Sequence, residues 1–124
     1  MKIVTQWDFC KESFIRENDI SELLPTDKRF PKKVRAKIEK IIKKNCQIFE
    51  KMEEDAVDYS IINHEKKKIY LLQNISYELQ ENEKTIKEKR VWELTEITIL
   101  ENGEIIEKYL GWTRKFKKCL SNCF

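Results

Sequence analysis

The sequence predicts an α+β fold: a helical N-terminal third, a long amphipathic helix packed on a four-stranded antiparallel meander, and a short C-terminal helix. Three observations predict it. Residues 31–52, PKKVRAKIEKIIKKNCQIFEKM, repeat apolar side chains at helical spacing. From residue 57 onward the apolar period changes from 3.6 to 2. Asn102-Gly103 then separates two apolar runs, the strongest short signal for a hairpin. The 124 residues have the size of one domain, read as residues 1–124, and only two glycines and two prolines leave little chain for long loops.

Each element follows in order. Residues 1–4 suit a short strand, and a helix starts near Asp8, with Phe9, Cys10, Phe14 and Ile15 at helical spacing. Asp19, followed three residues later by Glu22, resembles a capping box for one more helical turn ending at Pro25. Pro31 suits the first position of the long helix, where a missing N–H costs nothing. Val34, Ile38, Ile41, Phe49 and Met52 then fall on one stripe, and Asn45 interrupts its centre.

Residues 57–64 and 68–79 flank the turn NHEKK and read as half-buried antiparallel strands, with QENEKTIKEK as a solvated turn extending them as a ribbon. In the third strand Trp92 and Leu94 are even but Ile97 and Ile99 odd, which predicts a β-bulge near Thr95–Glu96. A two-residue Asn-Gly loop sets Leu100 opposite Ile105, and Gly111 ends the fourth strand. Phe116, Leu120, Cys123 and Phe124 share one side of the terminal helix. This element order is similar to the cystatin-like and hotdog architectures, in which one helix lies in the concave face of a sheet. The likeness covers element order alone and matches no family motif. It implies a cone with a ligand cavity, for which Tyr59, Tyr77, Trp92 and Glu93 are the residues to inspect.

Motifs that carry catalysis are nearly absent. Glycine occurs only at 103 and 111, so no phosphate-cradling loop is possible, and the single histidine, His64, sits in a turn. Cys10, Cys46, Cys119 and Cys123 form no C-x-x-C knuckle and read as reduced core thiols in place of a metal site. The expectation is a non-catalytic, cytoplasmic protein with no cofactor and no membrane segment.

Charge placement says more than the net charge of +3. Residues 31–52 carry +6, residues 78–107 carry −5 and residues 108–124 carry +5. Within the long helix, Lys33, Lys37, Lys40, Lys44 and Lys51 project as one stripe, to which Arg114, Lys115, Lys117 and Lys118 add further positive charge. Three uses compete for these partner-binding residues. In one, the lysines are solvated or face the glutamates of the last two strands. In another, the stripe docks on an acidic protein surface, making the chain an inhibitor, antitoxin, immunity or accessory factor acting on a protein or nucleoprotein. In the third it binds nucleic acid directly and without sequence preference. The acidic hairpin would suit a basic partner, and a free strand edge would suit a second copy of the chain.

Overall fold

The computed structural model describes residues 5–18, 20–53, 56–81, 84–121 and 123. Its elements are α1 (Gln6–Glu17), β1 (Ser21–Glu22), α2 (Lys32–Lys43), β2 (Cys46–Glu53), β3 (Ala56–Asn63), β4 (Lys68–Glu81), β5 (Lys84–Ile99), β6 (Ile105–Thr113) and α3 (Phe116–Ser121). The strands form one six-stranded antiparallel sheet in the order β1-β2-β3-β4-β5-β6.

This corrects the expected long helix on a four-stranded meander. The helix stops at Lys43, and residues 46–53 are a strand. Asn45 makes the break. It takes φ +58°, the left-handed conformation that ends helices, and asparagine is the residue after glycine that tolerates it best. Helical spacing had carried Phe49 and Met52 onto the stripe. In the strand, Cys46 and Ile48 point to one face of the sheet and Phe49 to the other. Residues 21–22, expected to be helical, pair with Glu50 and Phe49. Residues 1–4, Asp19 and Phe124 lie outside the described residues.

At the start of α1, Thr5 Oγ1 accepts from the Asp8 N–H (3.1 Å) and the Thr5 N–H donates to Asp8 Oδ2 (3.1 Å). Asp8 is therefore the third residue of a capping box whose N-cap is Thr5. Pro31 is the N-cap of α2.

Both faces of the sheet are covered, by different helices. Ile48, Ile61, Tyr70, Leu72 and Leu94 pack under α2 and α3, with Ile38, Ile41, Cys119, Leu120 and Cys123. Phe49, Ile62, Ile69 and Ile99 pack on the opposite face under α1, with Trp7 and Phe14. The change of parity between Trp92 and Ile97 needs no bulge in β5, because even residues serve one covered face and odd residues the other. The irregularity lies in β6, where Leu94 pairs with Gly111 but Thr95 with Tyr109, leaving Leu110 as the extra residue. Gly111, at φ +102°, supplies the conformation this kink needs. The β5–β6 loop is one residue longer than expected, so Ile105 lies opposite Ile99 and shares its face. Beyond the body of the sheet, β4 and β5 continue pairing to Glu81↔Lys84 as a two-stranded ribbon.

Candidate functional site

α2 and α3 lie side by side on one face of the sheet. Their apolar sides enter the core, so their polar sides meet at the surface. There a shallow cleft of about 270 Å³ is lined by Lys33, Ala36, Lys37, Lys40 and Lys117. Ala36, the smallest side chain of the set, leaves the space between the lysines open. Four of the nine basic residues expected to bind a partner thus come together, though Lys117 is far from the others in sequence. The remaining five separate. Lys44 caps α2 and borders a different depression with Asn63, Glu65 and Lys66. Lys51 is on β2, on the opposite face, beside Asp58, Ser60 and Gln73. Its place on the lysine stripe is overturned with the long helix. Arg114, Lys115 and Lys118 are exposed near the start of α3, outside the cleft lining.

Among the described residues, no acidic side chain lines the cleft. Glu39 is outside the cleft lining and pairs with Lys43 at 3.4 Å. Three glutamates of the last two strands, Glu93, Glu96 and Glu107, are placed elsewhere. Glu96 pairs with Lys68 at 3.1 Å on the adjacent strand. Glu93 and Glu107 sit on the face that α1 covers, with the sheet between them and α2. Lysine ammoniums are compact point charges without the fixed fork of arginine, so four around an open cleft suit an extended anionic surface better than one planar ligand.

At the neighbouring end of the same face, Phe30, Tyr59, Trp92 and Phe116 pack together, with ring centroids 4.7 Å apart for Tyr59–Phe116 and 4.8 Å for Trp92–Phe116. Arg29 beside them bridges Asp27 (2.6 Å) and Glu50 (2.8 Å). The Arg29 hydrogen bonds hold the Asp27 carboxyl down at about 2. Tyr59 and Trp92, which the cone reading places around a cavity, are filled in by Phe116. Of the cysteines, Cys46, Cys119 and Cys123 are buried, and burial pushes the thiols of Cys46 and Cys119 up to about 11. They are therefore poor nucleophiles. Among the described residues no group of three or more His, Cys, Asp or Glu side chains is placed to hold a metal, and no helix is long and apolar enough to cross a membrane.

Sequence reasoning missed a second surface. β6 is exposed along most of its length, with Ile105, Ile106, Tyr109 and Trp112 in solvent and Phe9 of α1 nearby. Apolar residues at both parities of β6 suit a core strand, but among the described elements no further helix covers them. Compared with protein-family models, curated proteins and solved structures, the chain matches none.

Proposed function

We propose that this is a small, single-domain, non-catalytic binding protein of the cytosol that docks on an acidic surface of a protein or nucleoprotein, in the manner of an inhibitor, antitoxin, immunity or accessory factor. One observation carries the reading: Lys33, Lys37 and Lys40 of α2 and Lys117 of α3 border one cleft, and among the described residues no carboxylate side chain lines it. Lys33, Lys40 and Lys117 bring positive charge from two helices to one place on the surface. An acidic surface docked there would be attracted by all of them at once. The test compares wild type with Lys40→Glu/Lys117→Glu as tagged baits in the source cell. The expected result is a protein partner that survives nuclease treatment and is lost from the double variant. A partner retained by the variant, or none with wild type, contradicts the reading.

Direct nucleic-acid binding is the second reading, supported by the same four lysines, which need only a row of phosphates to meet. It predicts binding to naked DNA or RNA that weakens steeply from low to physiological salt. Absence of binding at low salt removes it.

A further inference from the structure

The sheet's two faces carry unequal cover. Six strands at about 4.8 Å spacing make a sheet roughly 24 Å wide. Packed helices need about 10 Å each. Among the described residues, one face holds two helices side by side, α2 and α3, and the other holds α1. Beside α1 a groove of about 280 Å³ remains, floored by Ile97, Ile99 and Ile105 and walled by Phe9. Phe9 is 61% exposed, Ile105 56%, Tyr109 56% and Trp112 58%. The charged residues lining the groove are Glu17 on the α1 wall and Glu107 on the β6 wall. Glu93 extends the acidic rim, accepting a hydrogen bond from the Tyr109 hydroxyl (3.3 Å). Arg16 donates to Oγ of Ser13, a lining residue (3.4 Å), but is not itself part of the lining.

We propose that this groove and the exposed side of β6 receive a basic amphipathic helix from another protein. Such a helix would complete the second layer on this face as α3 does on the other. Its apolar residues at i, i+3/i+4 and i+7 would meet Phe9, Ile105, Tyr109 and Trp112, and lysines or arginines on its flanks would meet Glu17, Glu107 and Glu93. Aromatic side chains held in place by a sheet are the anchors that dominate such interfaces. A second copy of this chain is a poorer occupant, because face-to-face pairing would set Glu17, Glu93 and Glu107 against one another.

The probe is a designed helical peptide of roughly 18 residues, about 27 Å long, with a leucine stripe flanked by lysines. Its twin carries glutamates in place of the lysines. Each is titrated into the full chain by calorimetry. The lysine peptide is expected to bind, and the glutamate twin to bind roughly tenfold more weakly or not at all. Trp112→Ser and Glu107→Lys should each weaken the lysine peptide roughly tenfold. Both sites are exposed, and circular dichroism confirms that the fold is kept. Lys40→Glu should leave the affinity unchanged, which separates this site from the basic cleft. No binding, equal binding of the twins, or indifference to Trp112→Ser overturns the proposal. So does self-association abolished by Trp112→Ser, which would make the occupant a second copy.

Discussion

The two faces of the sheet are built from the same strands and differ in what lies over them. On the α2–α3 face, alternate residues of β2 to β5 disappear into a core closed by two helices, and the surplus positive charge is carried on the outside of those helices. On the α1 face, the other alternate residues are covered only as far as β5, and β6 presents aromatic and aliphatic side chains to solvent with carboxylates around them. The sheet therefore keeps the basic and acidic poles of the molecule apart. A near-neutral chain can present two surfaces of opposite character because each strand serves both faces.

The comparison breaks most visibly in the cores. Ile61→Ala or Leu72→Ala, each fully buried on the two-helix face, should cost about 2–5 kcal/mol in urea unfolding. Trp112→Ala should cost no more than about 0.5 kcal/mol, because it removes an exposed side chain. Comparable losses would mean that the β6 face is packed after all.

Asn45 comes next. Asn45→Ala should destabilise by about 1–2 kcal/mol, since the left-handed conformation is costly for a residue with a Cβ. Asn45→Gly should be neutral or stabilising. Equal effects would deny that the helix ends here and the two-helix face begins.

Thr5→Ala, which removes the N-cap of the one helix on the other face, should cost about 1 kcal/mol. Amide exchange should then rise over α1 more than over α2.

The smallest effect concerns His64, whose ring stands edge-on to Trp7 at 6.2 Å and bonds Gln47 Oε1 through Nε2 (2.7 Å). Burial holds its pKa below the ordinary 6.5, and Lys11 adds to that. Above pH 6.5 the ring is neutral in both states. As pH falls through 6.5 the unfolded chain takes up the proton first, so stability declines until the folded-state pKa is passed. His64→Gln should flatten that part of the stability–pH curve, and an unchanged slope would remove His64 as its source.

Much of this was legible in the sequence. The last four strands, α1, the terminal helix and the segregation of charge all follow from spacing and composition. What failed has local causes. Ile48 and Phe49 satisfy a helical stripe as well as they satisfy two faces of a strand, and Asn45, seen as a polar fault in a helix, is the residue that ends it. With one wet face, the parity change across residues 92–99 implies a bulge in β5; the pairing does shift between Leu94 and Thr95, but the extra residue is on β6. Once both faces are covered, alternation is unbroken. The cleft was half legible: α2 periodicity aligns Lys33, Lys37 and Lys40, but only the tertiary packing of α3 brings Lys117 to them. The exposure of β6 depends on which helices are present to cover it, and strand periodicity carries no record of that.

The unequal cover of the two faces is tested most directly by acrylamide quenching of three variants, each retaining one tryptophan of Trp7, Trp92 and Trp112 with phenylalanine at the other two. The structure predicts strong quenching and a red-shifted emission for Trp112, protection for Trp7 beneath α1, and an intermediate response for Trp92 in its aromatic cluster. A Trp112 as protected as Trp7 in the isolated chain would contradict the account.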